Sequence, residues 1–426
     1  MTERTEHVTC TFCGCLCDDI TVEHEDGRIS SVSRACPNGR AHFLDYASEP
    51  SLPRIRGEEA SWKEALAEAA RILKASRSPL LYGLSSASTE AIRKAVSLAD
   101  RLGAFVDSTS SVCHGPTGLA MQAVGEPTCT LGEMRSRADL LLFWGCNPAA
   151  SHPRHFARYS TAAKGRFVPE GRKGRTVIFV DVRLTPGARG ADLFLRVDPG
   201  CDFEVLTTLR ALVREKPLRE QEGTCVGGVS LAVLRDVATR LKSCRYGVAF
   251  MGMGLTMTRG RDVNVAELFR LVAELNAYTR FSVIPLRGHG NVTGADQVLT
   301  WQSGFPFAVS YARGYPRYGP GEFTAVDLLR RGDADAALIL ASDPAAHFPS
   351  RAAACLASIP TVVLDPEESL TARGATVWLP TGKAGIDAPG SAYRMDGVPL
   401  RLRPFLPPRR PSDEEILGRL LEEVTP

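Results

Sequence analysis

The sequence predicts an α/β fold with parallel sheets, divided among two or three domains. Three observations lead there. Helical and strand-like stretches alternate from residue 61 onward, in the order of βαβ units. The strand-like stretches are short apolar runs, as strands covered on both faces require. With 426 residues, 44% of them hydrophobic and 23% charged, the chain can bury more than one core. A net charge of +3 gives no reason to expect nucleic acid or a membrane surface as partner. No run approaches the roughly 20 apolar residues of a membrane span. The polar N-terminus lacks the apolar region of a secretory signal. Twelve cysteines scattered along so long a chain do not resemble a secreted disulfide scaffold, so a cytoplasmic protein is expected.

The first element is a cysteine loop. Cys10, Cys13 and Cys17 are followed by Cys36 and Pro37, four sulfurs at spacings of 2, 3 and 18 residues. Thiolates are the ligands of soft metals and of iron–sulfur clusters. Two alternating runs over residues 20–32 meet at Asp26-Gly27, a hairpin signal that folds Cys36 back toward the other three. A zinc site is the rival, although zinc ribbons usually bring two CxxC pairs, whereas here the second half offers one cysteine and a proline. Disulfides or unligated thiols are the remaining alternative. Cys15 lies within the loop as a spare.

The chain then passes a linker at 50–53. Ser61 and Glu64 form a capping box, and Trp62, Ala65, Leu66, Ala69, Ile72 and Leu73 mark one face of the helix that follows. A strand at 80–83, a helix at 89–102 stopped by Gly103, and a strand at 104–107 complete a βαβαβ series. Beyond it lies Cys113-His114, where open α/β sheets place their ligands. The strand 138–145 runs into Cys146-Asn147-Pro148, with His152 four residues later. Further strands are expected at 176–183, 246–251, 281–285, 335–341, 361–365 and 376–380. Helices are expected at 202–213, 231–241, 263–276 and 414–424. The Gly-, Pro- and Tyr-rich stretch 301–322 reads as an ordered loop. The strand at 335–341 ends in Asp343-Pro344, with His347 and Pro349 beyond. It echoes the Asn147-Pro148 turn as an internal pseudo-repeat, each turn facing half of a symmetric ligand; coincidence between two ordinary turns is the alternative.

Three motifs, in this order, carry a family resemblance: Cys13-Gly14-Cys15-Leu16-Cys17-Asp18-Asp19, Ser111-Val112-Cys113-His114-Gly115-Pro116, and Arg287-Gly288-His289-Gly290-Asn291-Val292-Thr293-Gly294. Together with the paired Asx-Pro turns they resemble the molybdenum/tungsten bis-pterin oxidoreductases, the formate dehydrogenase and dimethyl-sulfoxide reductase superfamily. Within it they resemble the B subunits of formylmethanofuran dehydrogenases.

The resemblance implies domains I–III of that fold without its C-terminal β-barrel: an iron–sulfur domain over 1–55 joined by 380–426, an α/β domain over 56–135 plus 333–379 carrying the Cys113 loop, and a second α/β domain over 136–332. It implies a 4Fe–4S cluster on Cys10, Cys13, Cys17 and Cys36, and a molybdopterin guanine dinucleotide carrying W or Mo, ligated by Cys113. His114 is expected to handle a proton near neutral pH, and Arg287 to hold a carboxylate or CO2-derived oxygen. Gly145, Asn147, Pro148, His152, Asp181, Arg183, Gly288, Asn291 and Asp343 are expected at the cofactor. Asp343 departs from the family's asparagine and adds a negative charge near a dinucleotide phosphate. The expected partners are the other chains of such a complex: the amidohydrolase-like one, the one designated C, and one supplying the barrel. The expected reaction is reversible two-electron reduction of CO2 to formate, coupled to formylmethanofuran formation. The second reading is a non-redox structural subunit of a methylotrophic formyltransferase/hydrolase complex.

Overall fold

A computed structural model describes residues 2–46, 51–218 and 223–425; Pro50 of the expected linker lies outside the described residues. The chain divides into two units, Met1–Ser111 with His289–Pro426, and Val112–Gly288.

The first unit is built on a nine-stranded sheet. Its centre is five parallel strands in the order Phe105–Ser108, Pro79–Gly83, Ala336–Leu340, Thr361–Asp365, Val377–Pro380. These strands are wholly apolar at their centres and buried, which is why they read as runs. The amphipathic helices Trp62–Ala75, Thr89–Leu102 and Asp413–Val424 pack their leucine, isoleucine and alanine faces into the same core. The Ser61–Glu64 capping box forms as expected. A three-stranded antiparallel sheet, Glu3–Val8, Ile20–Glu25 and Arg28–Ser33, belongs to this unit. Its second turn uses Asp26 and Gly27 at φ +50° and +77°, the two positive angles of a type I′ hairpin.

The second unit holds five parallel strands in the order Leu193–Arg196, Thr176–Asp181, Leu140–Trp144, Tyr246–Met251, Arg280–Pro285. From Leu140–Trp144 the chain builds outward one way through Thr176–Asp181, then returns to build the other way from Tyr246–Met251. The topological switch therefore falls between those two central strands, and the carboxyl ends there are where such a sheet binds ligands.

The compact units meet at 112 and 289, where boundaries at 136 and 333 were expected; Val309–Ser310 pairs with Phe105–Ser108 and so lies on the first sheet. The cysteine segment clusters with that same unit. The stretch 301–322 is not simply a loop: the helix Val292–Ser303 runs into it, and Val309–Ser310 and Arg317–Tyr318 form short edge strands. Among the described residues the sheets are open, and no helix is long and apolar enough to cross a membrane.

Candidate functional site

The site is built outward from the switch point of the second unit. Leu140–Trp144 ends at Gly145, whose φ is +57°. A Cβ there would lie 2.6 Å from the backbone N of Leu255, so only glycine fits. The turn is held from both sides: Gly145 N donates to the carbonyl of Val180 at 2.9 Å, and Gly254 N donates to the carbonyl of Gly145 at 2.9 Å. Asn147 follows at φ −127°, ψ 79°, and Pro148 opens a one-turn helix, Pro148–Ser151.

The first unit repeats this turn. Ala341 has φ +48°, and its N donates to the carbonyl of Leu364 at 2.8 Å. Asp343 has φ −119°, ψ 70°, and Pro344 opens the one-turn helix Pro344–His347. The matching backbone angles favour a true internal repeat over coincidence. Asp343 differs in use, however. Its Oδ1 accepts from Thr371 N at 2.9 Å and Thr371 Oγ1 at 2.6 Å, and its Oδ2 from Leu370 N at 3.2 Å. Its charge is met by these donors, so the expected electrostatic conflict with a phosphate is largely answered within the protein.

Two segments of the second unit, the N-terminus of the helix Gly115–Val124 and the turn after Leu140–Trp144, converge on the backbone of Leu286 and Arg287. His114 and His152 are both buried. Nε2 of His114 lies 3.2 Å from the carbonyl of Leu286, and Nε2 of His152 lies 2.8 Å from the carbonyl of Arg287. A carbonyl only accepts, so each Nε2 carries the proton and donates. The other ring nitrogens lie 3.2 Å from Thr117 Oγ1 and 2.8 Å from Ser151 Oγ, and Ser151 Oγ donates to the carbonyl of Asn147 at 3.1 Å. Two consecutive carbonyls are thus fixed by two imidazoles. The backbone is pinned further by Leu286 N donating to Met251 O at 2.9 Å. Arg287 itself is 6% exposed. Cys113 is tied to this frame by Thr256 Oγ1, which donates to its carbonyl at 2.9 Å.

Burial, followed by the Arg287 charge, pushes His114 down to about 3. It stands as a neutral hydrogen-bonding group. His152 spends both ring nitrogens within the protein, so it positions Arg287 as the turn stands. Asn291 also turns inward, in the first unit. Its Nδ2 donates to the carbonyl of Ala87 at 2.9 Å and its Oδ1 accepts from Tyr393 N at 2.7 Å. Its amide is a structural tie rather than an open cofactor contact. Gly288 is exposed.

Where a dinucleotide is expected, the second unit keeps polar atoms in reserve. Asn147 Oδ1 and Thr185 Oγ1 are buried without a hydrogen-bond partner among the described residues. A Cβ on Gly187 would lie 3.0 Å from Asn147 Oδ1 and 3.3 Å from the Phe156 ring, so the missing side chain keeps the turn open. Asp181 ends its strand and accepts from Arg183 N at 3.3 Å. These residues fit a pterin dinucleotide. Sequence reasoning missed Thr185 and Gly187; their only signal was nearness to Asp181.

In the first unit, the four expected cysteines come together. Burial, with the like charge of Cys13, Cys17 and Cys36, pushes the Cys10 thiol up to about 12. A Cβ on Gly39 would lie 3.1 Å from Cys10 Sγ and 3.6 Å from Cys36 Sγ, and Gly39 N donates to Cys36 Sγ at 3.3 Å. Cys10 N donates to Cys17 O at 2.8 Å, closing the loop. Cys15 hydrogen-bonds Cys13 and lowers its pKa. Four thiols gathered where they repel one another as thiolates suit a cluster that supplies the balancing positive charge. Among the described residues no group of three or more His, Cys, Asp and Glu side chains is arranged to hold a metal ion as it stands.

Comparison with known proteins agrees with this geometry. The family model described as molybdopterin oxidoreductase matches residues 50–357. The B subunit of the tungsten-containing formylmethanofuran dehydrogenase 2 of Methanocaldococcus jannaschii is 43% identical over 434 residues, covering 100% of this chain and 99% of the relative. The B subunit of the formyltransferase/hydrolase complex Fhc of Methylorubrum extorquens is 30% identical over 295 residues, 68% of this chain and 75% of the relative. A crystal structure of that organism's FhcABCD complex with methylofuran superposes with a TM-score of 0.73 at 26% identity, covering 87% of this chain and 98% of the other.

Proposed function

The chain belongs to the molybdopterin oxidoreductase family, among the B subunits of the formylmethanofuran dehydrogenases, and on that premise we propose that it is the redox subunit of such a complex, reversibly reducing CO2 to formate. The observation that carries this reading is the double histidine clamp on Leu286 and Arg287 beside the Cys113 loop. It fixes the backbone from which the buried Arg287 side chain springs, which suits recognition of a small carboxylate.

A W or Mo bis-pterin group, when bound, supplies the two-electron chemistry. Cys113 would hold its metal as a thiolate, the metal itself removing the proton. Asn147, Thr185, Asp181 and Arg183 would hold a pterin dinucleotide. Arg287 would grip the one-carbon carboxylate through two parallel N–H donors. His114 and His152 keep that fork in place without taking up protons near pH 7. Cys10, Cys13, Cys17 and Cys36 would hold a 4Fe–4S cluster that passes electrons to or from the pterin centre. An amidohydrolase-like subunit would then join formate to methanofuran, and further subunits would complete the cofactor site.

Cys113→Ala tests this. The expected result is loss of CO2 and formate turnover while the complex still assembles in size-exclusion chromatography. Unchanged redox turnover would refute the assignment. The fold match to the FhcABCD complex favours a second reading, a structural subunit of a formyltransferase/hydrolase. A metal-free complex that still hydrolyses formylmethanofuran would establish that reading instead.

A further inference from the structure

The second unit carries a basic feature at the other end of its sheet from the candidate site. It lies where the strands Leu140–Trp144 and Thr176–Asp181 begin. Of the eight Asp, Glu, Lys and Arg residues between 152 and 175, all but Glu170 are basic. The loop 161–169 is fastened to the end of the helix Leu131–Arg137. Buried Arg175 donates to the carbonyls of Ala138, of Arg135 at 2.9 Å and of Ala163 at 2.9 Å. Phe167 N donates to Ser136 O at 2.9 Å, and Arg135 Nε donates to Lys164 O at 3.2 Å. A Cβ on Gly165 would collide with the Arg135 carbonyl, so loop and helix end meet backbone to backbone.

This fixed loop displays positive charge. Arg135, Lys164 and Arg166, with Ser136, line a cavity of about 550 Å³. No acidic side chain lines it, and the three cations make no ion pair among the described residues. Beside it Phe167 is 46% exposed, with the guanidinium groups of Arg137 and Arg166 4.6 Å and 5.6 Å from its ring centre. The cavity that Arg175 lines, of about 860 Å³, is compensated from within the chain. There Arg172 pairs with Asp192 at 2.8 Å, Arg245 with Asp139 at 3.1 Å and Arg240 with Asp236 at 2.8 Å. The charges around Lys164 have no such answer and are left for an anion from outside.

Shape and charge together select that anion. The cations lining the cavity are exposed, so it cannot enclose a small ligand as a binding pocket does. A nucleic acid calls for a continuous basic surface, and the compensated cavity interrupts it. A short acidic stretch of protein fits: its carboxylates meet separate cations, and an apolar side chain covers Phe167. One exposed ion pair contributes little, but several convergent cations steer and orient a partner. The loop is already ordered, so docking costs little conformational entropy. We propose that the cavity of Arg135, Lys164 and Arg166, with Phe167 beside it, docks an acidic segment of a partner protein chain. The proposal holds for either reading of the candidate site, redox or structural, because both place the chain in a complex.

The test is photo-cross-linking in the intact purified complex, with p-benzoylphenylalanine in place of Phe167. The expected result is a cross-link to another chain of the complex, mapped by mass spectrometry to a segment rich in Asp and Glu. Lys164→Glu combined with Arg166→Glu is expected to weaken retention of that chain about ten-fold, read as dissociation on dilution in size-exclusion chromatography, and to leave the other chains bound. Lys164→Arg is expected to retain it. Raising salt from about 0.1 to about 0.5 M is expected to loosen the same chain in the wild type and to change little in the double variant. Cross-linking to nucleic acid, to a segment without acidic residues, or to no other chain would overturn the proposal. So would a double variant that keeps the cross-linked chain as firmly as the wild type does. Should the double variant fail to fold, the cross-link alone decides.

Discussion

The second unit spends its histidines on structure. His114 and His152 each donate to a carbonyl, and His155 packs among Phe143, Phe250 and Tyr159, with Nδ1 on Ser160 Oγ and Nε2 buried without a partner among the described residues. Burial pushes both His114 and His155 down to about 3. A histidine whose folded pKa is depressed stabilises fully above its unfolded pKa near 6.5, and that stability drains away as pH falls toward 3. Each of these two therefore withdraws about 2 kcal/mol between pH 6.5 and pH 5. Buried carboxyls work the other way in the same range: Glu126 and Asp365 are pushed up to about 7 and Asp107 and Asp413 to about 6, while His42 joins the two histidines at about 3. The slope of the whole chain is therefore a balance, and the test is a difference between variants. On going from pH 6.5 to pH 5, His155→Phe, which keeps the aromatic packing, is expected to fare better than the wild type in thermal melts by one proton's worth; an unchanged pH slope would contradict the assignment.

The strand-end turn at Gly145 is the element on which the second unit's site is organised, and the first unit repeats it at Ala341. Gly145 and Ala341 occupy the same left-handed conformation, yet only Gly145 is crowded by backbone at the missing Cβ position. Gly145→Ala is therefore expected to cost more than about 2 kcal/mol, beyond the ordinary penalty for a left-handed L-residue, and to lower cofactor retention. Ala341→Gly is expected to be tolerated, since it relieves that same penalty. Thermal melts of the two variants check the asymmetry, and equal losses would contradict it. Signals confined to one element were legible in the sequence. The Asp26-Gly27 hairpin, the Ser61–Glu64 box and the helices Thr89–Leu102 and Asp202–Val213 form as the residues indicate. Contacts distant along the chain were not. Nothing near His152 marks a bond to a carbonyl 135 residues away, and nothing at Asn291 marks its tie to Ala87. The pairing of Val309–Ser310 with Phe105–Ser108 is of the same kind.

At the scale of the whole molecule, the two units offer different donor sets. The first gathers four buried or partly buried thiols. The second offers a cysteine loop, a clamped arginine and a turn with polar atoms in reserve at a topological switch point. The reading that joins them is a redox subunit with an iron–sulfur cluster and a pterin-bound metal. It places iron on Cys10, Cys13, Cys17 and Cys36, and tungsten or molybdenum on Cys113. The measurement that tests this most directly is elemental analysis of the purified complex. About four irons, as a single 4Fe–4S cluster requires, with about one tungsten or molybdenum per chain, is the predicted result. A complex free of iron, tungsten and molybdenum that still hydrolyses formylmethanofuran at full rate would contradict it.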